Sequence, residues 1–111
     1  MFISMQEFFS TPVHQGARQV ALMAYRVAEG PDDGSGLTRD QRLKAILDVH
    51  CAVHAIMQGQ IDATEAERLW HAALSAEQKR MIAERPGDAP AIVADAIKRD
   101  ATLAAKARAP A

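Results

Sequence analysis

Apolar positions recur along the chain at three- and four-residue intervals, in blocks separated by clusters of Gly, Pro and Asp, and no stretch alternates at a spacing of two. That periodicity predicts helices and no strands. The strongest block is Thr38 to Gln58, TRDQRLKAILDVHCAVHAIMQ. On a helical wheel Leu43, Ile46, Leu47, Val53 and Met57 share one broad apolar arc, which Ala45, Val49, Ala52 and Ile56 widen past half the circumference. Only Arg39, Lys44, Asp48 and Gln58 mark a polar edge. A helix apolar on most sides must be covered on most sides, so 38–58 is expected to be the central helix of a small bundle. Thr38 and Gln41 supply a capping box at its start, and Gly59 is expected to end it.

The remaining blocks arrange themselves around this helix. Thr11 reads as a cap and Pro12 as a first helical position, opening a helix that runs to about Glu29, where Gly30-Pro31 stops it. Val13, Ala17, Val20, Ala21, Ala24 and Val27 form its inner stripe. His14, Gln15, Arg18, Gln19, Tyr25, Arg26 and Glu29 line the far side, with Leu22 among them. Residues 30–37, GPDDGSGL, read as a flexible, turn-rich loop. Asp62 and Glu65 open a third helix striped by Ala66, Leu69, Trp70, Ala73 and Leu74. Ser75 and Gln78 open a short fourth helix carrying Met81 and Ile82, stopped by Pro86-Gly87. A last helix starts at Asp88 or Ala89 with Pro90 and turns Ile92, Val93, Ala96, Ile97 and Leu103 inward. Residues 104–111, AAKARAPA, offer nothing to pack and are expected to fray. The expected fold is an all-α single domain over 1–111, a bundle of four to five helices.

Composition narrows the function more than the fold. A chain of 111 residues buries only about two-thirds of its unfolded surface, so added stability from oligomerisation would be no surprise. Thirteen basic residues against fourteen acidic, with a pI near 6.4, argue against a dedicated nucleic-acid binder. The single cysteine, Cys51, excludes an internal disulfide and fits a reducing compartment. No run of about eighteen apolar residues exists to span a membrane. The opening MFISMQEFFS lacks a basic n-region and does not read as a signal peptide, so a cytoplasmic location is expected. Abundant alanine, and nine arginines against four lysines, suggest a GC-rich bacterial or phage origin.

Candidate chemistry is sparse. All three phenylalanines, Phe2, Phe8 and Phe9, stand with Ile3 and Met5 in the first ten residues. Such an aromatic arm either plugs its own core or anchors on a second copy or a partner. Leu22 beside Tyr25, between arginines, is a second interface candidate. His50 and His54 have the i,i+4 spacing that lets two imidazoles share a metal, but the glutamate of the metalloprotease pattern is missing: Cys51 follows the first His. Ligands from His14, His71 or a carboxylate would be needed. The plainer expectations are that the pair is buried and hydrogen-bonded, or lies on an interface, and that Cys51 is a small core residue. His71, one turn after Glu67, is expected in solvent.

The helices 62–74 and 76–85 could be imagined as a helix-turn-helix presenting Gln78, Lys79 and Arg80 to DNA, although the usual turn glycine is missing and Glu77 and Glu84 share the helix. No nucleophile elbow, phosphate loop or dinucleotide fingerprint is present, so catalysis and a cofactor are not expected. The leading expectation is a non-enzymatic helical regulator that dimerises and binds a larger protein, such as a transcription factor or host complex, to inhibit or titrate it. The alternatives are a metal-binding protein using His50 and His54, and a weak helix-turn-helix DNA binder.

Overall fold

The structure, a computed structural model, describes residues 15–31, 33–58 and 61–108. Six α-helices make up most of it: α1 (Gln15–Glu29), α2 (Arg39–Met57), α3 (Ala63–Arg68), α4 (Ala76–Glu84), α5 (Ala89–Arg99) and α6 (Ala101–Arg108). No strand occurs among the described residues. The all-α expectation is met, and α2 is the central helix: α1, α4 and α5 all pack against it. Its inward residues Ala45, Ile46, Val49, Val53 and Met57 meet Val20, Ala24 and Val27 of α1, Ile82 of α4 and Val93 and Ile97 of α5 in one continuous core.

The helix starts follow the capping chemistry written in the chain. Thr38, Asp62 and Ser75 each accept a hydrogen bond from the backbone N–H three residues on, and Gln41, Glu65 and Gln78 return the bond to the cap. Such reciprocal caps satisfy donors that a helix leaves unpaired at its first turn. At the other end of α2 the left-handed position is taken by Gln58 (φ 54°), one residue ahead of the expected Gly59.

Several expectations need correction. Cys51 is exposed rather than buried in the core, and Ile56 and Met81, both read as part of apolar faces, are each more than a third exposed (37% and 38%). The third helix does not continue regularly to Leu74. After Arg68 the chain widens into a π-helical turn, Leu69–Ala73, closed by the bond from the Leu74 amide to the Leu69 carbonyl (3.1 Å). Leu69 and Trp70, two successive residues, are thereby both fully buried.

The last helix is broken at Asp100. The Asp100 amide ends α5 on the Ala96 and Ile97 carbonyls, while its carboxylate accepts from the Leu103 amide (3.0 Å) and starts α6. Arg68 clamps the same carboxylate from α3 (2.5 Å). That charged bond, followed by the Leu103 amide, holds the Asp100 carboxyl below its usual value. The tail expected to fray from residue 104 is helical to Arg108, with Ala104 buried and Lys106 bonded to Glu65 of α3 (2.7 Å).

In the loop joining α1 to α2, the described residues are tied to the fold by burial and hydrogen bonds. Ser35 and Leu37 are buried, and the Asp33 carboxylate accepts from both the amide (3.1 Å) and the hydroxyl (2.5 Å) of Ser35, an Asx turn. Gly34 and Gly36 carry positive φ (86° and 74°), which the reversal requires and which a Cβ would strain. Arg42, buried in the first turns of α2, donates to the carbonyls of Ala28 (2.6 Å), Leu37 (2.9 Å) and Gly30 (3.4 Å). One guanidinium thus closes the C-terminus of α1 and both ends of the loop.

Candidate functional site

The described part of the molecule offers three places where chemistry could sit. The first is the outer face of α1. Its buried residues Val20, Met23, Ala24, Val27 and Ala28 face the core, so Arg18, Leu22, Tyr25 and Glu29 form a stripe on the opposite side. Leu22 is 56% and Tyr25 44% exposed. Arg26 adjoins them and is hydrogen-bonded to Glu67 of α3. The other interface candidates, Phe2, Ile3, Met5, Phe8 and Phe9, lie outside the described residues.

The second place is the histidine pair. The rings of His50 and His54 lie 6.2 Å apart, tilted by 49°. His54 is exposed and His50 half-buried. The Nδ1 of His50 is sealed from solvent with no hydrogen-bond partner, against the expectation that a buried imidazole would be paired. Burial first, and the neighbouring His54 second, push the His50 pKa below its usual value. Among the described residues no group of three His, Cys, Asp or Glu side chains could hold a metal ion. His71 is exposed on its own helix, 3.9 Å from Glu67, and does not join the pair.

The third place was not anticipated. Lys79, expected on the outward face of α4, is 3% exposed. It lies three residues before the fully buried Ile82, and that spacing was the available signal. Its ammonium sits 5.2 Å from the centre of the Trp70 ring and 3.8 Å from the Asp33 carboxylate. The indole N–H of Trp70 donates to the same carboxylate (3.0 Å). Burial alone would raise the Asp33 pKa, but the Ser35 hydroxyl and amide, the charge of Lys79 and the indole N–H outweigh it and hold the carboxyl below its usual value. Above this cluster opens a cleft of about 400 Å³, walled by Arg26, Val27 and Gly30 at the end of α1, Pro31 and Asp33 of the loop, and His71 of the π-helical turn.

No family model, curated protein or solved structure matches this chain. The site must therefore be read from its own chemistry. The close Ser35–Asp33 contact is a turn element: Ser35 is 1% exposed, and its oxygen already accepts from the Leu37 amide (3.3 Å). For the helix-turn-helix alternative, Lys79 is turned into the core, and Arg80 donates to the Ser35 carbonyl (3.3 Å). Two of the three side chains assigned to a DNA groove are thus engaged within the fold.

Proposed function

We propose that this chain is a non-enzymatic helical interaction protein, which pairs with a second copy and docks on a larger protein partner through the outer face of α1. The observation that carries the reading is the exposure of Leu22 and Tyr25 on one stripe of α1. An aliphatic and an aromatic anchor framed by Arg18, Arg26 and Glu29 have the composition of an interface core with its polar rim. Neither side chain contributes to the core, so their presence on the surface costs solubility without adding stability. Inhibition or titration of the partner is the activity that suits a small module of this kind. A cytoplasmic, bacterial or phage setting accords with the lone cysteine and the arginine-rich, alanine-rich composition. No helix among the described residues is long and apolar enough to cross a membrane.

Native mass spectrometry of the untagged chain and of a Leu22→Ser/Tyr25→Ser variant tests the proposal. Both substitutions are on the surface, so the helical circular dichroism should be unchanged, while the melting temperature should fall to that of the single chain. The unaltered chain is expected as a two-chain species and the variant as one chain. A variant that keeps the two-chain mass would remove α1 as the pairing face. An unaltered chain that is monomeric throughout the micromolar range would remove the pairing itself.

A further inference from the structure

We propose that the cleft above Lys79 is a binding site for a small carboxylate monoanion, a function distinct from the α1 docking face. The Lys79 side chain is 4% exposed, yet none of its three N–H donors makes a hydrogen bond within the described chain. Unlike Arg42 Nε and His50 Nδ1, its nitrogen is not sealed from solvent, so water or an entering acceptor meets its N–H donors. Its neighbouring carboxylate does not supply one. At 3.8 Å Asp33 gives charge compensation but no hydrogen bond, and its oxygens already serve Ser35 twice and Trp70 once. The Trp70 ring compensates charge in the same way, without accepting a conventional hydrogen bond. Lys79 lines the cleft and its nitrogen is not sealed, so an acceptor entering from solvent can reach it.

The surroundings define the class of acceptor. Arg26 and His71 line the same cleft, so a ligand bound to Lys79 meets a second and a third potential donor. Of the charged side chains that line the cleft, Arg26 and Lys79 stand against Asp33. One surplus positive charge suits a monoanion and disfavours a doubly charged phosphate. The volume, about 400 Å³, lies at the small end of the range of ligand sites, and Val27 and Pro31 provide an apolar wall for the body of the ligand.

Trp70 is the only tryptophan, and its ring faces the ammonium, so its fluorescence reports directly on occupancy. The test is a titration of the full chain with sodium acetate against sodium chloride at constant ionic strength, followed by tryptophan-selective emission. Saturation is expected on the order of millimolar acetate, the scale the per-atom ceiling on binding energy allows for so small a ligand. Arg26→Gln, on the surface, should weaken the midpoint several-fold, and Lys79→Met should abolish saturation. The amide resonance of Lys79 should move with the same midpoint, a readout that needs no variant. A linear, chloride-like response of the unaltered chain would overturn the proposal. So would saturation that survives Lys79→Met, and phosphate binding as tightly as acetate would overturn the assignment of a monoanion.

Discussion

Asp33→Ala is the substitution expected to damage this fold most for its size. The carboxylate faces the Lys79 ammonium at 3.8 Å, a Coulomb attraction of about 4 kcal/mol at an effective dielectric of about 20. Both side chains are more than nine-tenths buried, so water entering by the cleft replaces only part of the attraction when one partner is removed. Breaking a buried pair on one side typically costs about 3–5 kcal/mol, and the absence of a direct hydrogen bond here places the loss near about 3 kcal/mol. The indole N–H of Trp70 loses its acceptor as well, which adds about 1 kcal/mol. The sum, about 4 kcal/mol, is a large share of the roughly 5–15 kcal/mol that stabilises a domain.

Urea unfolding followed by far-ultraviolet circular dichroism measures this loss, with an unchanged slope showing that the same surface is exposed. Asp33→Asn separates the components: it can still accept from Trp70 but no longer neutralises Lys79, so it should cost about 3 kcal/mol, three-quarters as much. The double variant Asp33→Ala/Lys79→Met removes the unpaired ammonium and should recover about 2 kcal/mol relative to Asp33→Ala alone. The folded carboxyl is held below its usual value, so its contribution is present above the unfolded pKa of about 4 and is lost as pH falls through the folded one. The gap between unaltered chain and Asp33→Asn should therefore be full at neutral pH and close in acid. An Asp33→Ala loss under about 1 kcal/mol, or a double variant whose loss is the plain sum of the singles, would refute the argument.

Two further substitutions probe other buried polar groups. Arg42→Met strips its donors from the carbonyls of Ala28, Gly30 and Leu37 and should cost about 3 kcal/mol in the same urea assay; Arg42→Lys should recover less than half, since one ammonium cannot span three carbonyls. His50 has a lowered folded pKa, so the unfolded chain binds its proton first, and stability falls as pH drops below the unfolded value of about 6.5. Thermal melts of the unaltered chain between about pH 7 and pH 5 should show that fall, and His50→Gln should flatten it; equal slopes would refute the assignment.

The fold was legible where one short-range rule governs. The three capping boxes at Thr38, Asp62 and Ser75 and the breadth of the α2 arc are local patterns, and each is realised as read. The same breadth misled at its margins. An arc wider than half a turn cannot say which flank meets a neighbour, and α1, α4 and α5 leave Cys51 and Ile56 outside. The break at Asp100 was illegible because the apolar period runs through it. Its cause is a carboxylate clamped by Arg68, thirty-two residues away in sequence. The cleft was hidden for the same reason. A loop of Gly, Asp and Ser has the composition of a flexible linker, and only Trp70 and Lys79, reached through the tertiary fold, show that Asp33 is held.

Arg42 and Lys79 are buried to a similar degree at either side of that loop, and the difference between them bears on what each is for. Arg42 gives its terminal nitrogens to three backbone carbonyls, leaving only Nε without a partner. Its burial is explained by the connection it closes. Lys79 closes nothing: the turn it faces is already fixed by Ser35 and Trp70, and no backbone group depends on it. A buried charge pair is often no better for stability than apolar side chains of the same volume, so a methionine at this position, with an uncharged acceptor for Trp70 at Asp33, would serve the core as well. Lys79 also lines the cleft, and that is the side from which the acceptor proposed above would reach its ammonium.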